Sequence, residues 1–178
     1  LGIRPTMQAR VNLAAVYILQ ERAAEAVPVL ELAAGMKGAS HQVWGNLGDA
    51  YALAPGMERK ARAAYERAAQ LAAKYLALKP ADGAERATLA FYLVRLGERE
   101  RALAEIGRAL KTAPGDARVL FWSALVHEEA GERDRALETL AAAIAGGYSR
   151  AIVDATSDLA DLRRDPRYRL MMVETTGR

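Results

Sequence analysis

The sequence predicts an all-α fold, a right-handed superhelical solenoid of antiparallel helix pairs closed by a C-terminal helical cap. Three observations predict it. Of the 178 residues, 52% are hydrophobic and only 6% aromatic, with alanine, leucine, glutamate and arginine prominent, a composition suited to close-packed helices. Gly97 and Gly131 lie 34 residues apart, as do Ala102 and Ala136, and Ala109 and Ala143; self-similarity at this period marks stacked supersecondary units. The third observation is the stretch Trp44-Gly45-Asn46-Leu47-Gly48-Asp49-Ala50-Tyr51, which reads W-x2-L-G-x2-Y and sets the phase of the repeat.

The units in order are about 7–40, 41–82, 83–116 and 117–150, with a cap over 151–174, all within one solenoid domain. One period before Trp44 stands Arg10, with Leu13, Ala14 and Tyr17 where Leu47, Gly48 and Tyr51 recur. Pro28 falls inside the second helix of this first unit, where it removes a ladder hydrogen bond. A kink or a late helix start is expected there.

In the second unit, Ala61 to Ala102 spans 41 residues instead of 34, a surplus of seven. Seven residues are close to two helical turns, so the buried face is preserved. One long helix from near Met57 to Lys79 is expected, its apolar stripe continued by Leu71, Tyr75 and Leu78. The third and fourth units share a turn, Leu96-Gly97-Glu98-Arg99 and Ala130-Gly131-Glu132-Arg133, with glycine where the first helix of each pair stops. Small residues hold one position of the first helices, Gly48, Ala90 and Ala124. Glycine inside a helix costs about 1 kcal/mol relative to alanine, so Gly48 implies a facing helix too close for a β-carbon. Beyond Tyr148, leucines alternate with Asp and Arg through Asp158-Leu159-Ala160-Asp161-Leu162-Arg163, the pattern of a terminal cap with a polar outer face. Leu159, Leu162, Tyr168 and Leu170 are expected to dock on the fourth unit.

The net charge of +3 is local, since residues 41 to 81 carry six basic and three acidic residues. A solvated surface explains it better than a nucleic-acid or membrane footprint. There is no cysteine, hence no disulfide framework, and neither a secretory leader nor an apolar run of membrane-spanning length occurs. A cytoplasmic location is expected for this piece. The chain begins at Leu1 and not at methionine, which suggests a piece of a longer protein.

Trp44 to Tyr51, followed by Ala61-x3-Tyr65 and Pro80, resembles the helix pair of the tetratricopeptide repeat superfamily. The resemblance covers residues 7 to 150. Together with the Pro55-Gly56 turn, the long second helix and the DLADLRRDPRY ending, the chain also looks like the C-terminal repeat regions of bacterial signalling proteins. In those, such repeats follow a Ser/Thr kinase, a nucleotide cyclase or a DNA-binding regulator domain. The resemblance implies a protein-interaction scaffold binding a peptide or helix in a concave groove lined by the first helices. Helical periodicity places Gln8, Val11 and Ala15 in that groove, then Gln42, Asn46 and Asp49, then Phe91 and Arg95, then Arg118, Phe121 and Glu128. Phe91 and Phe121 are its apolar centres. In chaperone-binding members paired asparagines, a Lys and an Arg clamp a C-terminal carboxylate. Asn12 and Asn46 match the asparagines, whereas Ala87 and Phe91 stand in place of the cations.

No residues are expected to be catalytic, and neither a cofactor nor a metal is implied. His127-Glu128 has Gly131 where a zincin helix needs its second histidine. Gly147-x-Ser149-x-Ala151 lacks the strand that precedes a nucleophile elbow. Glu132, Asp134 and Glu138 sit on a helix start, where the dipole favours acids. The rival classes are a nucleic-acid-binding helical repeat and a self-association module acting through exposed end repeats. The partner's identity is not written in the sequence.

Overall fold

The computed structural model describes residues 5–174, and among them regular structure is entirely helical. Four helix pairs follow the sequence period. They are α1 (Met7–Leu19) with α2 (Ala23–Ala34), α3 (His41–Leu53) with α4 (Glu58–Leu78), α5 (Gly83–Arg95) with α6 (Arg99–Thr112), and α7 (Ala117–Glu129) with α8 (Arg133–Ala145). The C-terminal segment forms α9 (Arg150–Ala155), a 3-10 turn (Ser157–Leu159), α10 (Ala160–Arg164) and α11 (Pro166–Glu174). The chain divides into two compact units, one reaching Lys74 and the other starting at Tyr75, so the boundary falls inside α4.

Local chemistry explains where these helices start. Thr6 Oγ1 accepts from the Ala9 amide at 3.2 Å and Asp82 Oδ1 from the Glu85 amide at 3.1 Å. Asp116 Oδ1 takes the amides of Arg118 and Val119. Each side chain satisfies donors that the first helical turn leaves open. The stops are as specific. Gly97 and Gly131 adopt φ of 79° and 77°, and in each case the next amide reaches back five residues, Glu98 to the Leu93 carbonyl and Glu132 to the His127 carbonyl. This is the Schellman closure that a left-handed residue permits.

In the first unit α2 packs on both α1 and α3. Pro28 lies within α2, which starts at Ala23, so of the kink or late start expected from the sequence the late start does not occur. The proline has no amide to give the Ala24 carbonyl, and both residues are exposed. Gly48 has the predicted role, because a β-carbon on it would lie 2.6 Å from Tyr65 Cε1. Leu47, Tyr51 and Tyr65 are buried in this unit, while Trp44 is half-buried.

The long helix of the second pair is present as 21 residues against the 14 of α6, and 21 less 14 is the surplus of seven. Its buried stripe runs through Ala61, Ala64, Tyr65, Ala68, Ala72 and Leu76. Leu78, expected to extend that stripe, is exposed, and Leu71 and Tyr75 are half-buried. The stripe keeps the three-to-four spacing that ends on Leu76, which leaves Leu78 on the outer face.

In the second unit α5 packs on α6 and α7, and α7 on α8. The C-terminal segment retains the period in weakened form, since Arg167 of α11 stands 34 residues after Arg133 of α8. Helix α11 packs on α8, and Arg167 Nη1 lies 2.6 Å from Asp134 Oδ1. Leu159, Leu162 and Tyr168 are buried as expected of a cap. Leu170 is exposed instead, because it sits two residues from Tyr168 and so points off α11's packed face.

Candidate partner-binding surface

Aligned on Gly48, Ala90 and Ala124, each first helix presents one stripe at corresponding register. On α3 the stripe is Gln42, Asn46, Asp49 and Leu53, and on α1 the residues one period earlier are Gln8, Asn12, Ala15 and Leu19. On α5 it is Ala84, Thr88, Phe91 and Arg95, and on α7 it is Arg118, Trp122, Leu125 and Glu129.

In the first unit the stripe is open, polar at its Gln and Asn positions and apolar at Leu19 and Leu53. Gln8 is exposed and its Nε2 donates to Asn12 Oδ1 at 2.8 Å, Val11 is half-buried and Ala15 exposed. Gln42 is exposed while Asn46 and Asp49 are half-buried. Asp49 has an internal duty, since its Oδ1 accepts from the Tyr65 hydroxyl at 2.7 Å and fixes the ring that crowds Gly48. Nearby, Tyr51 Oη donates to Glu31 Oε1 at 2.6 Å. Burial, with the Glu31 carboxylate beside it, pushes the Tyr51 phenol up to about 12, and the same hydroxyl holds Glu31 below the usual carboxylate range.

In the second unit the expected anchors are not on the surface. Phe91 and Phe121 are only 3% and 4% exposed, so neither ring is open to a partner. Phe91 packs on Trp122 with centroids 5.0 Å apart, and Phe121 stacks on Tyr148 at 4.2 Å. Phe91 is further covered by the Arg95 guanidinium, 4.9 Å above its centroid. Arg95 pairs with Glu129 at 3.3 Å and with Asp158 of the 3-10 turn. The C-terminal segment thus reaches the α5 stripe and holds its cation.

On α7 the register differs by one residue from the expectation. Arg118 is exposed as expected. Phe121 faces inward and Trp122 is the half-exposed ring, while Glu128 is half-buried and paired with Arg133; Glu129 is the exposed acid. Adjacent aromatics cannot share a helix face, and the 34-residue step from Thr88 leads to Trp122, the signal that would have selected it.

The remaining polar clusters are accounted for by packing. His127 is buried with Nδ1 3.0 Å from Glu132 Oε2. Burial lowers its pKa, against the opposing pull of Glu132. Glu132 also meets Arg99 and Arg135, and Asp134 meets Arg167. Ser149 is the residue before α9, its carbonyl accepting from the amides of Ile152 and Val153. Among the described residues no three acidic, histidine or cysteine side chains gather as metal ligands. No described helix is long and apolar enough to cross a membrane.

Successive helix pairs, the first turning at left-handed Glu21 and the next three at left-handed glycines, define an all-α helical-repeat protein. No family model matches the chain, and no curated protein does. Solved structures of MamA are similar to it. One, "Crystal structure of MamA", is 20% identical over 82% of this chain and 81% of that one, with a TM-score of 0.45. Another, "MamA RS-1 ArsTM double mutant", is 16% identical over 99% of this chain and 93% of that one, with a TM-score of 0.47.

Proposed function

We infer that the chain is a protein-interaction scaffold of the tetratricopeptide type, built of four helix pairs within a larger signalling protein. It binds a helix or extended peptide along the first helices of the pairs, and it is not itself catalytic. The observation that carries this reading is the α7 stripe. Trp122 stands half-exposed on buried Phe91 and Phe121, between an exposed cation, Arg118, and an exposed anion, Glu129. A rigid aromatic surface with charges of both signs at its ends suits an amphipathic segment, since hot spots concentrate in Trp and Arg. Within the first unit, Gln8, Gln42 and Asn46 offer polar contacts of their own. Pairing of Arg95 with two acids leaves Arg118 as the open cation of this stripe, opposed by the exposed anion Glu129, and this balance counts against the nucleic-acid alternative, which needs a basic groove along its stacking platforms.

Selection of peptides of about 15 residues from a random display library tests this reading. Selected peptides are expected to lose at least about tenfold in affinity, about 1.4 kcal/mol, on Trp122→Ala with an unchanged far-UV circular dichroism spectrum. Peptides that bind Trp122→Ala as tightly as wild type would remove the α7 stripe from the site.

A further inference from the structure

Helix α7 carries its end charges against its own dipole, which favours acids at a helix N-terminus and bases at its C-terminus. The neighbouring helices keep the favoured order. Glu85, Glu100 and Asp134 stand in the first turns of α5, α6 and α8, and Arg95 and Lys111 in the last turns of α5 and α6. Helix α7 has no acid in its first turn, where Arg118 stands instead, and it ends on Glu128 and Glu129. The base of its last turn, His127, is buried and held below its ordinary pKa, so it brings little charge at neutral pH.

Internal packing does not account for this order. Glu128 is taken up by Arg133, but Glu129 meets only one arm of Arg95, at 3.3 Å, and stays exposed. A carboxylate with one such contact keeps open acceptor sites. Arg118 is exposed and enters no ion pair among the described residues, and Asp116 Oδ1 beside it is taken by two backbone amides. A local preference broken without a structural gain is the mark of a functional position.

Arg118, Trp122 and Glu129 lie at steps of four and seven residues, which puts them on one face of the helix. Cation, ring and anion thus follow one another over about 16 Å of α7. A partner helix running parallel to α7 meets them with an acid near its N-terminus and a base near its C-terminus, the order its own dipole favours. An antiparallel helix would need the reverse order, at a cost to its own stability. An extended strand has no comparable dipole and no such preference.

We propose that the occupant of the α7 stripe is a helix lying parallel to α7, with an acidic residue on Arg118, an apolar residue on Trp122 and a basic residue on Glu129. This rests on the reading of the α7 stripe as the partner site, and it adds the partner's form, charge order and direction.

Two synthetic helical peptides of identical composition test it, each about 18 residues long, or five turns, lactam-bridged on the outer face and carrying leucine opposite Trp122. One places Glu before Lys at the spacing of Arg118 and Glu129, and the other exchanges the two. Calorimetric titration is expected to show the Glu-first peptide binding at least about tenfold more tightly. Arg118→Glu combined with Glu129→Arg is expected to reverse the preference, with an unchanged circular dichroism spectrum. Arg118→Glu alone, which restores an acid to the first turn of α7, is expected to abolish it. Equal affinities for the two peptides, a preference that charge exchange leaves in place, or no binding of either peptide would each overturn the proposal. If equal affinities both fall on Trp122→Ala, the stripe stands as the partner site and the parallel orientation alone is lost.

Discussion

Glu21 performs a glycine's task. After α1 the chain adopts φ of 59° at Glu21, and the Arg22 amide reaches back to the Tyr17 carbonyl at 2.8 Å. The bond pattern matches those at Gly97 and Gly131, but a β-carbon is present. A left-handed conformation costs an L residue roughly 1–2 kcal/mol, part of which glycine's greater freedom in the unfolded chain offsets. Glu21→Gly is therefore expected to stabilise the protein by about 1 kcal/mol in urea denaturation, with Glu21→Ala giving no gain; equal effects from the two would locate the strain elsewhere. At Gly48 the constraint is spatial, since its helical backbone would accept alanine but Tyr65, held by Asp49, occupies the space.

Between elements, the turn from α7 to α8 couples a titratable group to the Schellman closure. His127 lies in the last turn of α7, and the Glu132 amide bonds the His127 carbonyl while the Glu132 carboxylate meets the ring. Arg99, Arg135 and Glu138 add charges around this pair. Burial holds the native imidazole below its ordinary pKa of 6.5. The unfolded chain therefore binds a proton that the native state refuses, and stability falls as pH drops through about 6.5. Above about pH 7 this contribution is constant. Urea midpoints at pH 7.5 and 5.5 are expected to differ more in wild type than in His127→Gln, with His41 common to both; equal drops would exclude His127 as the source. Turns of this kind were legible in the sequence because glycine spacing and capping acids act locally. The α7 stripe was not, because Phe121 and Trp122 are neighbours and a shift of one residue exchanges their faces. Nor was the covering of Phe91, which depends on Asp158, 63 residues from Arg95.

The whole chain divides at Lys74 and Tyr75 into two compact units, each holding one tryptophan, Trp44 in α3 and Trp122 in α7. The units differ in how much of their helices they bury. Helix α1 buries Ala14 alone, whereas α5 buries ten of its 13 residues. In helical repeats stability is close to a sum of unit and nearest-neighbour contributions, so a unit whose first helix is so exposed has the lower local stability. Fluorescence can separate the two, with Trp122→Phe leaving Trp44 to report the first unit and Trp44→Phe leaving Trp122 to report the second. The Trp44 signal is expected to change first, about 0.5 M urea or more below the Trp122 signal. That offset corresponds to a difference of roughly 1 kcal/mol at an m value of about 2 kcal/mol/M. Circular dichroism of each variant checks that neither substitution shifts global unfolding by itself. Coincident transitions by both reporters would mean that α4, which carries the boundary, couples the units into a single cooperative transition.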